Sequence, residues 1–183
     1  MTSKIYSIIK FFLIIFFTIG ITMNANANDE DILLLELKDG MVTIQMKPEV
    51  APNHVARIKE LVREEFYDGL TFHRVIAGFM AQTGDPKGNG TGGSGQNINA
   101  EFNNERHLRG TLSMARARDP NSADSQFFIC LDDAPHLNGQ YTVWGQVIDG
   151  MEFVDSIKKG EGNNGSIIGE PDKIITIKIK ADL

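Results

Sequence analysis

Residues 72–85 read FHRVIAGFMAQTGD. The stretch is mostly apolar, yet it combines an arginine, a phenylalanine–methionine pair and a glutamine, at Arg74, Phe79, Met80 and Gln82. A few polar groups set among apolar side chains are typical of a binding surface rather than of a plain core. The stretch is therefore the first candidate for a functional site.

A second candidate lies further along the chain, where residues 110–116 read GTLSMAR and residues 125–129 read SQFFI. Side chains alternate between the two faces of a strand. Gln126 and Phe128 therefore share one face, and Phe127 and Ile129 share the other. A glutamine beside a phenylalanine is unusual for a core face and suits a binding groove.

The rest of the chain predicts a mostly β fold. Period-2 alternation and short apolar runs bounded by glycine predict eight strands, at Ile32–Leu37, Met41–Met46, Leu70–Val75, Met80–Thr83, Gly110–Ala115, Gln126–Leu131, Tyr141–Val147 and Lys173–Lys180. Helical spacing after Pro52 predicts one helix, and Met151–Lys158 predicts a second. Many short strands with only two helices favour a closed, mostly antiparallel barrel over an alternating βαβ sheet.

The N-terminus differs from everything after it. Lys4 and Lys10 give a basic start, an apolar run follows from residue 11, and the small-residue triplet Ala25-Asn26-Ala27 ends the segment. These are the features of a cleavable secretory signal peptide. We therefore expect a signal over Met1–Ala27 and one domain over residues 28–183, exported and most simply periplasmic, with a secreted or signal-anchored protein as alternatives.

Composition excludes several classes of function. The chain has 183 residues, a net charge of −6 and one cysteine. Its acidic balance argues against a nucleic-acid binder, which needs a basic face for phosphates. A lone cysteine forms no internal disulfide, CxxC pair or thiolate zinc cage, and Cys130 within FFICL is predicted to be a core residue.

Cofactor and metal signals are weak. Residues 88–93 and 160–165 match the dinucleotide pattern G-x-G-x-x-G, but neither match lies between a strand and a helix as that pattern requires. The four histidines are scattered, without metal-ligand spacing. We therefore expect neither a cofactor nor a metal.

The two candidate segments together resemble the cyclophilins, a family of peptidyl-prolyl cis–trans isomerases. The similarity runs from about Leu33 to Ile179, and the details around residues 113–126 resemble the bacterial branch. The resemblance implies a closed eight-stranded antiparallel β-barrel capped by two α-helices. It also implies catalysis of X–Pro bond rotation in unfolded or flexible proline-containing polypeptides, by a monomer that has no membrane contact once its signal is cleaved.

The resemblance also assigns a site. Arg74 takes the position of the catalytic arginine. The residues implied in substrate binding are Phe79, Met80, Phe128 and Leu137 around the proline ring, Gln82 on the substrate backbone, Ala115, Arg116 and Gln126 under the residues before proline, and His136 and Tyr141 at the groove edge.

Three of these positions depart from the family pattern. Many relatives have asparagine at Arg116, a large aromatic at His136 and histidine at Tyr141. In the family, the large aromatic at the position of His136 supports cyclosporin binding. The resemblance therefore does not imply that this chain binds cyclosporin. Both Arg74 and Phe128 are present, which favours an isomerase for exported proteins over the alternative, a proline-binding chaperone module with little turnover.

Overall fold

The structure is a computed structural model that describes residues 29–183, so the predicted signal peptide over Met1–Ala27 lies outside the described residues. The described part contains eight strands and two α-helices. The strands are β1 (Ile32–Leu37), β2 (Gly40–Met46), β3 (Arg74–Ile76), β4 (Met80–Thr83), β5 (Thr111–Met114), β6 (Phe127–Cys130), β7 (Val143–Asp149) and β8 (Thr176–Ile179). The helices are α1 (Pro52–Arg63) and α2 (Met151–Ser156).

The strands form one antiparallel sheet in the order β3-β4-β6-β5-β7-β2-β1-β8. The prediction of eight strands and two helices is confirmed, but the prediction of a closed barrel is wrong. The sheet is a curled half-barrel with β3 and β8 at its two edges.

The barrel stays open because the chain leaves the sheet before β3. The predicted strand Leu70–Val75 is reduced to the three residues of β3. Residues 69–72 instead pair with residues 172–174 through a single bridge, Thr71 to Lys173, and a few backbone hydrogen bonds. Loop segments, not strands, therefore span the gap between the two edges.

The main core lies on one face of this sheet and under α1. Pro52 occupies the first turn of α1, where its missing N–H costs nothing. The apolar side chains of the helix are buried at helical spacing, at Val55, Ile58, Leu61 and Val62. The ring of Phe127 lies edge-on to both Tyr67 and Trp144, with centroids 5.5 Å apart in each pair. Trp144 is fully buried.

A smaller apolar cluster lies on the opposite face of β4 and β6. Its buried members are Met80, Phe128, Cys130, Ala134 and Leu137. The alternation predicted for residues 126–129 is confirmed, since Phe127 and Ile129 belong to the main core and Phe128 to this cluster. Burial raises the pKa of the Cys130 thiol to about 12, as expected for a core cysteine.

Residues 29–183 contain neither a helix able to span a membrane nor a cluster of metal-binding side chains. No helix in this range has the length and apolar composition needed to cross a bilayer. No group of three or more histidine, cysteine or acidic side chains in the same range is placed to hold a metal ion.

Candidate active site

Strand register brings the two sequence segments into one row. Arg74 on β3 pairs with Gln82 on β4, and Gln82 pairs with Phe128 on β6. Phe128 pairs in turn with Ser113 on β5. Residues that are directly opposite in neighbouring strands point to the same face of a sheet. The four side chains therefore lie side by side on the face that carries the smaller apolar cluster.

A cavity of about 180 Å³ opens on this face, and we call it the apolar cavity because most of the side chains that line it are apolar. Phe128 is 5% exposed and lies edge-on to Tyr141 at 5.9 Å, while Leu137 comes from a single 3₁₀ turn that follows β6. The cavity is lined by Arg74, Phe79, Met80, Gln82, Ala115, Arg116, Phe128, Leu137 and Tyr141. Nine of the residues singled out in the sequence therefore meet around one small cavity.

Two predicted residues lie outside that lining. Gln126 lines the neighbouring cavity instead. His136 is exposed and packs its ring against Phe79, with centroids 5.3 Å apart. His136 therefore supports a wall of the apolar cavity from outside.

Hydrogen bonds fix the Arg74 guanidinium at the edge of this cavity. Nη1 donates to Oε1 of Gln82 at 3.1 Å and lies 3.9 Å from the sulfur of Met80. Nε donates to the carbonyl oxygen of Asn164 at 2.9 Å. Within residues 29–183, Nη2 has no hydrogen-bond acceptor and is free to donate to a ligand.

The Gln82 side chain is itself held by a chain of amides. Gln82 Nε2 donates to Oε1 of Gln126 at 2.9 Å, and Gln126 Nε2 donates to the carbonyl oxygen of Gly92 at 2.7 Å. The orientation of Arg74 is therefore coupled through two glutamines to the glycine-rich loop, Gly88–Gly95.

That loop forms the wall of a second cavity of about 380 Å³. The cavity adjoins the first at Gln82, Ala115 and Arg116, and its lining is mostly polar. The remaining lining residues are Gly90, Thr91, Gly92, Gly93, Asn97, Ala117, Ser122, Asp124 and Gln126. Sequence reasoning did not predict this cavity, because its walls come from loops without a periodic pattern.

Asp85 shapes the glycine-rich loop and was not predicted to have this role. Its side chain is buried, and its carboxylate accepts hydrogen bonds from the amides of Lys87 at 2.8 Å, Asn89 at 3.0 Å and Gly90 at 2.5 Å. Burial alone would raise the pKa of Asp85, but these hydrogen bonds and one from Gly92 outweigh it and lower the pKa. The folded protein therefore favours the ionised carboxylate.

A group whose pKa is lowered by folding stabilises the protein above its ordinary pKa, and that stability is lost as the pH falls through the folded value. We therefore expect Asp85→Asn to lower the free energy of unfolding by about 1–3 kcal/mol at pH 7. The loss of stability between pH 7 and pH 3 should be smaller in the variant than in the wild type. Urea denaturation at both pH values measures this, and Asp149→Asn, at an exposed aspartate, is the control. An equal acid loss in Asp85→Asn and wild type would contradict this role for Asp85.

His107 supports the floor of the apolar cavity, and sequence reasoning assigned it no role. Its buried ring stacks on Phe128 with centroids 6.2 Å apart, and its Nε2 lies 3.0 Å from the hydroxyl of Ser113. Burial lowers the pKa of His107, which favours the uncharged ring. The single signal in the sequence was a histidine in a loop, which does not reveal this contact.

Comparison with known proteins gives one consistent family. The family model for cyclophilin-type peptidyl-prolyl cis-trans isomerases matches residues 32–179. A probable peptidyl-prolyl cis-trans isomerase of Brucella suis is 53% identical over 178 residues, covering 90% of this chain and 91% of the relative. Peptidyl-prolyl cis-trans isomerase B of Bacillus subtilis is 48% identical over 128 residues, covering 68% of this chain and 89% of the relative.

Solved structures agree with the sequence comparison. The crystal structure of cyclophilin AquaCyp293 from Hirschia baltica is similar with a TM-score of 0.76 and 28% identity, covering 85% of this chain and 76% of that chain. A cyclophilin-type isomerase of Cryptosporidium parvum, crystallised in the presence of the dipeptide Ala-Pro, is similar with a TM-score of 0.75 and 30% identity. That match covers 81% of this chain and 98% of the other.

Proposed function

The chain belongs to the cyclophilin family and is a peptidyl-prolyl cis–trans isomerase, and we propose that it accelerates X–Pro bond rotation during the folding of exported proteins. In this proposal the proline ring of an unfolded or flexible polypeptide enters the 180 Å³ apolar cavity, and Arg74 acts on the rotating bond. One observation carries the proposal. A guanidinium with a free N–H group lies at the edge of a cavity floored by Phe128.

Rotation is slow without a catalyst because the peptide C–N bond has partial double-bond character, with a barrier of about 20 kcal/mol. Twisting the bond breaks this conjugation and leaves a lone pair on the proline nitrogen. Arg74 Nη2 can donate a hydrogen bond to that lone pair only in the twisted state. This contact stabilises the transition state more than either planar isomer, which is the requirement for catalysis.

The apolar cavity contributes in two ways. A twisted amide is less dipolar than a planar one, so apolar walls such as Phe79, Met80 and Phe128 favour it. Burying about three ring methylenes contributes roughly 2.4 kcal/mol of binding free energy. Binding of this size is weak and brief, which suits an enzyme that serves many unfolded polypeptides.

The polar groups around the cavity hold the flanking backbone. We assign Gln82 to a backbone hydrogen bond with the substrate, and Ala115, Arg116 and Gln126 to the residues that precede proline. Leu137 and Tyr141 line the apolar cavity, while His136 packs against Phe79 at its edge. No step requires a nucleophile, a general base, a metal or a cofactor, because the C–N single bond stays intact while the peptide bond rotates.

The exported setting rests on the sequence of Met1–Ala27. A basic start, an apolar run and a small-residue triplet support cleavage after Ala27 and release of residues 28–183 into the periplasm. Removing the two lysines of the leader gives the mature protein a net charge of −8. We propose that it works there as a monomer.

One experiment tests both the export of the protein and its isomerase activity. The full chain is expressed, the periplasmic fraction is isolated, and the purified protein is sequenced from its N-terminus and assayed on a short X–Pro peptide. We expect the sequence to start at Asn28 and the isomerisation to be accelerated. A matched chain lacking residues 2–27 should stay in the cytoplasm and remain active once purified. An N-terminus at Met1 would contradict cleavage, and a failure to accelerate isomerisation would contradict the proposed site.

A further inference from the structure

Arg116 lies where the two cavities meet, because it lines both. Its Cζ atom lies 4.7 Å from the ring centroid of Tyr141 and 5.8 Å from that of Phe102. Nε and Nη2 donate to the carbonyl oxygen of Gln140, at 3.2 and 3.0 Å, and Nη1 donates to the carbonyls of Ala117 and Arg118. The side chain is therefore held in place against the groove and is not a freely moving surface arginine.

All of these partners are uncharged. Within residues 29–183, no carboxylate lies within 4 Å of the Arg116 guanidinium, and the same is true of Arg74 on the other side of the apolar cavity. Two cationic groups thus flank the apolar cavity, and neither has an ion-pair partner within residues 29–183. This is a local excess of positive charge on an acidic protein, whose net charge is −6 over the full chain.

The acidic residue in the neighbouring cavity is held by the loop and forms no ion pair with Arg116. Asp124 lines the 380 Å³ cavity, but its carboxylate accepts hydrogen bonds from the hydroxyl of Ser94 and, at 2.8 Å, from the amide of Gly95. It also lies against the backbone of Gly93. Its oxygens are therefore engaged by the loop, whereas Arg116 lines both cavities and is bonded to backbone carbonyls alone.

We propose that Arg116 is a specificity-determining residue that favours substrates with an acidic side chain at one of the two positions before proline. The inference rests on the proposed function, which places those positions over Ala115, Arg116 and Gln126. An aspartate or glutamate there supplies the carboxylate that the guanidinium lacks. A lysine there meets two uncompensated arginines and is disfavoured.

The size of the effect follows from the partial exposure of Arg116. A charge pair near a protein surface changes an equilibrium by a few-fold, and added salt screens it. We expect kcat/KM for a glutamate peptide to exceed that for the matching lysine peptide by about fivefold at low ionic strength. The ratio should fall towards one at about 1 M salt, where the screening length shrinks to roughly 3 Å.

The test uses two series of tetrapeptides, with glutamate, glutamine or lysine either directly before proline or one position earlier. The mature protein and three variants are assayed at low and high salt. Arg116→Asn removes the charge, and Arg116→Lys keeps it. Arg118→Asn makes the same change two residues further on, at an exposed arginine outside both cavities.

We expect the glutamate-to-lysine ratio to fall below about twofold in Arg116→Asn and to persist in Arg116→Lys and Arg118→Asn. Because the ratio compares two substrates of one variant, a general loss of activity does not affect it. A wild-type ratio of one or less in both series overturns the inference, and so does a ratio that Arg116→Asn leaves unchanged or Arg116→Lys abolishes. Failure to accelerate any peptide would instead overturn the proposed site itself.

Discussion

Replacing Arg74 with alanine is expected to lower kcat/KM for X–Pro isomerisation by about 100- to 1000-fold, the usual cost of removing a donor that acts on the transition state. The side chain is the one cation among residues 29–183 that is held at the edge of the ring cavity with an unoccupied N–H group beside Gln82. A protease-free assay of a fluorogenic or NMR-observed X–Pro peptide measures the change.

Two further variants make this prediction specific. Arg74→Lys keeps the charge but loses the planar fork that binds Gln82 and Asn164 at the same time, so it should recover a minor part of the activity. Arg106→Ala removes an exposed arginine outside both cavities and should match the wild type. The mechanism would be refuted if Arg74→Ala catalysed rotation as fast as Arg106→Ala.

The second large effect concerns stability and arises at Glu101. Ala51, which precedes α1, makes no capping hydrogen bond with its side chain. Glu101 takes over this function from a distant loop, because its carboxylate accepts the backbone amides of Asn53 and His54, both at 3.0 Å. It also accepts a hydrogen bond from Asn53 Nδ2 at 2.7 Å and contacts Nδ1 of the fully buried His54 at 2.6 Å.

Removing this carboxylate leaves the backbone amide and Nδ1 of the buried His54 without their acceptor, and it also removes the contacts of Glu101 with the exposed Asn53. We expect Glu101→Ala to lower the free energy of unfolding by about 2–4 kcal/mol. This corresponds to a fall in Tm of roughly 5–15 °C for a domain of this size. Scanning calorimetry or thermal circular dichroism at pH 7 measures the shift.

Glu105 provides a matched control on the same loop. Its carboxylate pairs with Lys47, and its side chain is 37% exposed, against 14% for Glu101. An ion pair that is partly open to solvent, as this one is, contributes about 1 kcal/mol or less, so Glu105→Ala should shift Tm by only a few degrees. Equal shifts in the two variants would show that Glu101 does not cap α1. Glu101→Gln, which keeps one acceptor oxygen, should fall between wild type and Glu101→Ala.

Sequence periodicity predicted most of the elements. The strand predicted over Ile32–Leu37 has the same bounds in the structure, and α1 begins at the predicted Pro52. Both depend on local patterns, namely alternation and a proline at a helix start. The strand expected at Leu70–Val75 is only partly present, because residues 69–72 make a single bridge and a few backbone hydrogen bonds with residues 172–174 instead of a continuous ladder.

The candidate site was predicted in its members but not in its arrangement. The motif placed Arg74, Gln82 and Phe128 in one site, and the register of β3, β4 and β6 then explains their proximity. No sequence pattern pointed to the groups that orient these side chains. They are the carbonyl oxygens of Gly92 and Asn164, and a backbone carbonyl is present in every residue. The same holds for the polar cavity, whose walls are loops.

By itself, the sequence determined which segments are strands, which face of each strand is apolar, and which side chains carry the chemistry. These properties depend on residue type and on spacing over a few positions. Only the tertiary structure decided that the sheet stays open between β3 and β8, that Asp85 holds the loop above the groove, and that no carboxylate of residues 29–183 pairs with Arg116. These features depend on contacts between residues far apart in the chain, whose distances no local pattern encodes.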